Sequence, residues 1–430
     1  MMNTTTNSTV LLRTATVEEA IAAVVRISPL SPDAVSHAHA VASDIDQSGE
    51  TAARRWARQL GDIKSEHEPI IVSRKELCAA RDELDTETRG LLERTTDRVT
   101  AFARLQREAV RDVFMQIDQT ARAGHTFVPV QVAGCYAPGG RHPLVSSAIM
   151  TVATARAAGV EHVVLASPRP GMLMKAAAAI AGADSLLALG GAPAVIALAR
   201  GICGAPRCDV IVGPGNKYVT AAKHLVSAST GIDMLAGPSE LLIAADESAD
   251  PVVVAADLLA QAEHDPDARP LLVTTDPSLP ERVNLQLLRQ LQTLPTANVA
   301  REACANGFAC VVQNWEQLLH VIDVLAPEHL ELQLSTAREV AERVRNAGAI
   351  FIGAGSAESL GDYGAGPNHV LPTGGTARFR AGLSVLTFLR ARTWLEVDRA
   401  SPVLVRDVTK LAQMEGLPAH ERAVTVRTLS

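Results

Sequence analysis

The sequence predicts an α/β protein: two Rossmann-like αβα modules, with an N-terminal helical segment before them and an extended C-terminal helical tail after them. Three observations carry this. From Val128 onward, short apolar runs alternate with Ala-rich helical stretches, and a second alternation begins at Leu241. Such a βαβ rhythm implies parallel sheets with helices on their faces. Hydrophobic residues make up 47% of the 430-residue chain, enough for more than one core, while only 3% are aromatic. That balance favours helix-on-sheet packing by Ala, Val and Leu over an aromatic-rich β-sandwich.

Taken in order, residues 1–26 read as a short arm. The stretches 31–60 and 74–122 have helical apolar spacing with many charges. In the second, Leu77, Leu84, Leu91, Leu92, Val99, Phe102, Val110 and Phe114 fall near heptad positions, as on long amphipathic helices packed on a core. His162–Ala166, Ser185–Leu189 and Asp209–Val212 read as buried strands, with helices near 146–158, 172–181 and 193–200. The second alternation predicts strands at 241–245, 271–275, 309–312 and 349–353. Its helices fall at 250–263, 281–293, 315–325 and 335–347. Ligands of such sheets sit beyond the carboxyl ends of the strands. Glycine turns lie at such ends: Ala137-Pro138-Gly139-Gly140, Gly190-Gly191 and Gly213-Pro214-Gly215-Asn216.

Composition excludes several classes. Net charge is −7 and the arginines are scattered, so a nucleic-acid partner is not expected. There is no apolar run of about 18 residues, so no membrane span is expected. The N-terminus lacks a basic-then-apolar signal pattern, which predicts a cytoplasmic protein. Cys78, Cys135, Cys203, Cys208, Cys304 and Cys310 form no CxxC pair. They read as small apolar thiols in a reducing compartment.

Four short segments carry the chemistry. Zinc takes imidazole nitrogen and carboxylate oxygen in a tetrahedral site. His264, Asp362 and His420 offer such atoms, and Gln261 stands one helical turn before His264. Glu328 and His329 set a carboxylate beside an imidazole, the pairing a proton-moving enzyme needs. Pro327 favours an irregular backbone there, which would let two adjacent side chains converge. A nucleotide fingerprint is weaker. The run from Gly213 to Tyr218 ends in Tyr where a strict GxGxxG would place its third glycine. From the residues alone, these glycines could equally serve only to make tight strand-to-helix turns.

Seven stretches in order resemble the histidinol dehydrogenase family, which closes histidine biosynthesis. They are CYAPGGR (Cys135–Arg141), DVIVGPGN (Asp209–Asn216), GIDMLAGPSE (Gly231–Glu240), DLLAQAEHDPDA (Asp257–Ala268), LAPEHLEL (Leu325–Leu332), GDYGAGPNHVLPTGGTARF (Gly361–Phe379) and EGLPAH (Glu415–His420). The resemblance implies NAD-dependent oxidation of L-histidinol to L-histidine through L-histidinaldehyde, with one Zn2+ per subunit of a homodimer. It implies a larger α/β domain from 27–134 and 241–383, an inserted NAD-binding module at 135–240, and a tail, 384–430, that reaches the other subunit. Zinc falls to Gln261, His264, Asp362 and, across the interface, His420, so the active sites are shared. Glu328 would activate water and His329 would move the substrate proton. Ser239, Gln261, His264, His329, Asp362, His369, Glu415 and His420 would contact substrate. Tyr136 and Asn216 match cofactor positions. A third cofactor position, Gln in the family, is Pro193 here, which offers neither a side-chain amide nor a backbone N–H. Two other readings remain open at this point. One is a paralogue oxidising another hydroxylated metabolite. The other is a zinc hydrolase with Glu328 as general base, which the lack of an HExxH motif disfavours.

Overall fold

A computed structural model describes residues 10–25, 29–65, 67–139 and 143–428. Parts of the expected N-terminal arm, and Gly140 of the first glycine turn, lie outside the described residues. Two six-stranded sheets form the frame among the described residues. The first runs Ile71–Ser73, Ser185–Leu187, His162–Ala166, Val132–Tyr136, Val210–Val212, Gly231–Ile232. Its ladder is parallel except for Ile71–Ser73, which pairs antiparallel at one edge. The second runs Arg13–Ala15, Phe308–Val311, Arg269–Thr274, Glu240–Ala245, His329–Gln333, Ala349–Ile352, and is parallel throughout. A smaller antiparallel sheet joins Leu389–Val397, Ala121–Pro129 and Val113–Gln116.

The helices explain the alanine content. Helix Val145–Ala158 lies between the first sheet and helix Thr86–Ala109 and is buried on nearly every side. Small side chains let backbones approach closely there. The helix stops at Gly159, whose φ of +94° suits a residue without Cβ. Central strands such as Glu240–Ala245 are buried along their whole length, as expected for a sheet covered on both faces.

Several sequence expectations are corrected. The heptad-like run over 74–122 is two helices, Arg74–Asp82 and Thr86–Ala109, followed by a strand. Leu77, Leu92 and Val99 are buried, but Leu91, Phe102 and Phe114 are exposed. An apolar residue in register does not show where the helix ends. Strands Val132–Tyr136 and His329–Gln333 were not foreseen, because glycine and charged residues break their apolar runs. The tail is not wholly helical, since Leu389–Val397 pairs with Ala121–Pro129 before the helices Pro402–Met414 and Pro418–Thr425.

Helix contacts run across the boundaries of the expected grouping of 27–134 with 241–383. Helix Pro32–Gln59 packs on Gly191–Arg200 and Lys217–Val226, Arg74–Asp82 on Met172–Ala181, and Thr86–Ala109 on Val145–Ala158. All of these belong to the first sheet's module. Conversely, Arg13–Ala15 and helix Val17–Val25 join the second. An amphipathic stripe records that a face is buried, not which sheet buries it.

Candidate active site between the sheets

Helix Trp315–Leu325 ends at Ala326, a left-handed residue with φ 46° and ψ 59°, and Pro327 follows. The chain then enters strand His329–Gln333. Neighbouring strand residues normally point to opposite faces. The irregular entry instead brings Glu328 Oε2 to 3.7 Å from His329 Nδ1, both side chains buried. Ser239 Oγ donates to Glu328 Oε2 at 2.7 Å, and the Glu240 N–H donates to it at 2.9 Å. Burial pushes Glu328 up to about 8 against those two hydrogen bonds, with the Asp362 charge adding to the rise.

His329 Nδ1 faces acceptors: the Glu240 carbonyl at 3.2 Å and Glu358 Oε1 at 3.4 Å. A carbonyl can only accept, so the ring proton sits on Nδ1. Nε2 therefore carries the lone pair. It is buried without a hydrogen-bond partner among the described residues, 3.8 Å from Asp362 Oδ1. Burial lowers the His329 pKa, partly offset by Asp362, and so favours the neutral ring. That is the state a general base requires.

Beside this pair lies a cluster able to hold a cation. His264 Nε2 is 3.7 Å from Asp362 Oδ2. Ligand atoms of His264, Glu358 and Asp362 all fall within 4.8 Å of one another. Helix Pro251–Ala262, which carries Gln261, packs against the short helix Glu358–Asp362. Gln261 is fully buried, and neither its amide oxygen nor its nitrogen has a partner among the described residues. An orphaned buried amide on a helix that packs against the cluster's own helix fits a metal centre, since burying it unpaired costs free energy. His420 and Glu415 do not join this cluster within the chain. Both are exposed on the helical tail.

The first sheet carries the second candidate site. The chain leaves Val132–Tyr136 to build strands on one side and returns to place Val210–Val212 on the other. That reversal is a switch point, where nucleotides bind in open α/β sheets. Tyr136 ends one strand, but its buried hydroxyl accepts from the Gly191 N–H at 3.1 Å. Burial pushes the Tyr136 phenol up to about 12. Asn216 is exposed and caps helix Lys217–Val226 by accepting from the Tyr218 and Val219 N–H groups. Pro193 is buried in the first turn of helix Gly191–Arg200. Gly213 has φ +120°, and a Cβ there would stand 2.1 Å from the Tyr136 carbonyl oxygen. Its N–H donates to Asp233 and its carbonyl accepts from Lys223, a buried ion pair that holds the turn from both sides.

His369 bridges the two modules. Nδ1 lies 2.9 Å from the Asp362 carbonyl, and Nε2 lies 3.1 Å from Ser147 Oγ on helix Val145–Ala158. Both ring nitrogens are thus engaged, so a direct substrate contact would have to break one bond. The glycine turns occupy the carboxyl edge of the first sheet. The acid–base pair stands at the amino edge of the second, where Ser239 precedes its strand and His329 begins one.

The sequence reading missed Glu240, Glu331 and Glu358, all almost fully buried around His329. Burial, with Glu328 adding, pushes Glu240 up to about 7 against Arg269. Burial and Asp257 push Glu331 up to about 8. Burial and the carboxylates of Asp362, Glu328, Glu331 and Asp257 push Glu358 well up; any positive charge nearby favours its ionised form. The i,i+4 spacing of Glu358 and Asp362 was the available signal, since it places both on one side of a helical turn.

A buried base, a cation-competent cluster near it and a switch point in the other sheet mark an α/β enzyme built to move protons. Residues 28–428 match the family model of histidinol dehydrogenase, and the chain belongs to that family. It is 45% identical to the histidinol dehydrogenase of Thermus thermophilus over 390 residues, covering 89% of this chain and 92% of that one. It is 42% identical to that of a Synechococcus species over 412 residues, covering 93% and 94%. The crystal structure of histidinol dehydrogenase from Elizabethkingia anophelis superposes with a TM-score of 0.88 at 30% identity, covering 97% of this chain and 98% of that one.

Proposed function

We propose that the protein oxidises L-histidinol to L-histidine in two steps through L-histidinaldehyde, at one site, with NAD and zinc as its cofactors. The carrying observation is the Glu328–His329 pair, with Nε2 unpartnered among the described residues and 3.8 Å from Asp362 Oδ1, the carboxylate that also faces His264. In the first step His329 Nε2 takes the hydroxyl proton as the carbinol carbon gives up hydride. In the second, Glu328 takes a proton from the water that adds to the aldehyde. The resulting hydrate gives up a second hydride and becomes the carboxylate. Ser239 and the Glu240 N–H hold the Glu328 carboxylate in place for that task. Its raised pKa makes the ionised carboxylate a stronger base than an ordinary one.

Tyr136 and the Gly213–Asn216 turn of the 135–240 module would hold NAD, which would accept the hydride of each oxidation. Gln261, His264, Asp362 and the His420 of a second copy would hold zinc, which would supply a positive charge for orienting the substrate. The second copy is supported by the tail itself. Val403, Leu411, Met414, Leu417 and Val426 expose apolar surface on the helices that carry Glu415 and His420. A homodimer with shared sites would cover it. We place the protein in the cytoplasm. A paralogue acting on another hydroxylated metabolite is not favoured, given the family membership along the chain.

The test is NADH formation. Two NADH per histidinol, with little free aldehyde, is the expected result. One NADH per histidinol with aldehyde accumulating in solution would overturn the single-site reading.

A further inference from the structure

We propose that Glu358 is a positioning residue for His329: it flanks Nδ1, whose proton the Glu240 carbonyl accepts, and opposes the charge of that ring once Nε2 has taken the substrate proton. The inference rests on the reading of His329 as the base. Glu358 opens the short helix Glu358–Asp362, and its N–H donates to Glu331 Oε1 at 2.7 Å, which fixes the start of the turn. Its side chain is 2% exposed, and neither carboxylate oxygen has a hydrogen-bond partner among the described residues. Oε1 lies 3.4 Å from His329 Nδ1.

The neighbouring Glu240 carbonyl, 3.2 Å from Nδ1, already selects the tautomer but carries no charge. When the hydroxyl proton moves to Nε2 and hydride leaves the carbinol carbon, the ring becomes an imidazolium. Glu358 is then the carboxylate closest to Nδ1, nearer than Glu328 at 3.7 Å. A base oriented by a third group is the general form of such sites. Asp362, at the other end of the same turn, faces Nε2 and His264. One helical turn thus serves the ring and the metal cluster with two separate carboxylates. The competing role, direct ligation, has its own basis, because a Glu358 oxygen lies within 4.8 Å of ligand atoms of His264 and Asp362.

The experiment uses the full-length, zinc-loaded enzyme and the variants Glu358→Gln, Glu358→Asp, His329→Asn and the Glu358→Gln/His329→Asn double. Glu358→Gln keeps the volume and removes the charge. Its kcat should fall roughly 10- to 100-fold. Its KM for histidinol should stay within about threefold, with zinc content unchanged. Glu358→Asp should recover part of kcat, and it carries the test if the Gln variant does not fold. The double variant should be no slower than His329→Asn, because Glu358 acts through that ring. Zinc loss in step with activity would make Glu358 a ligand. A raised KM at unchanged kcat would make it a substrate contact. A double variant slower than His329→Asn would show an independent role. Each of these overturns the proposal. If His329→Asn itself keeps wild-type kcat, the base assignment fails, an outcome separate from a silent Glu358 variant.

Discussion

His420 is exposed on the helix Pro418–Thr425, while His264 and Asp362 meet in the cluster at the second sheet. If the site is completed across a dimer, the two histidines of one working site come from different chains. His264→Ala and His420→Ala should then each be inactive alone. Mixed under conditions that exchange subunits, they should complement. In a mixed dimer one site loses both histidines and the other keeps both. Random exchange at equal amounts makes half of the dimers mixed, with one working site of two. The mixture should therefore recover about a quarter of wild-type activity per chain. The assay is NADH absorbance with histidinol before and after exchange, with exchange followed independently by native mass spectrometry of tagged chains. If both ligands came from one chain, every site would keep a defect. An inactive mixture in which mixed dimers are demonstrated would refute the shared site.

Other perturbations address single residues. Glu328→Gln should spare histidinol oxidation and slow oxidation of supplied histidinaldehyde by ~10²–10⁴-fold. Because a base acts only when ionised, and burial sets Glu328 at about 8, the wild-type aldehyde step should rise with pH up to about that value. The rise should vanish in the Gln variant; a wild-type rate that is flat from pH 6 to 9 would remove Glu328 from the role. Lys223→Met strips the cation from a pair whose side chains are only 3% and 1% exposed. Breaking a buried pair costs about 3–5 kcal/mol, readable by urea unfolding; a loss under about 1 kcal/mol, the range of surface pairs, would contradict the burial argument. Pro193→Gln restores a backbone N–H and a side-chain amide, worth roughly 0.5–1.5 kcal/mol, so NAD should bind up to about tenfold more tightly. Weaker NAD binding would mean the turn is built around proline.

Local periodicity made most of the frame legible. The helices at 172–181 and 315–325 and the strand at 162–166 fall where apolar spacing placed them, because burial on one or both faces leaves its period in the chain. The segments with metal-ligand and acid–base residue types were also legible, since such side chains are uncommon amid apolar stretches. Other features were not written locally. The strand His329–Gln333 carries His, Glu and Gln inside a sheet, so its polarity hides it. Glu358 and Glu240 look like surface carboxylates until parallel pairing and the returning loop bury them around His329. Ser239 and Glu328 are separated by 89 positions, yet their hydrogen bond is 2.7 Å long. Only the register of Glu240–Ala245 beside His329–Gln333 sets that distance. The sequence by itself determined most of the helices, many of the strands and which residue types could do the chemistry. The tertiary structure decided which of them converge and which ring nitrogen is free, because pairing between distant strands and desolvation depend on what packs against each residue, not on its neighbours in the chain.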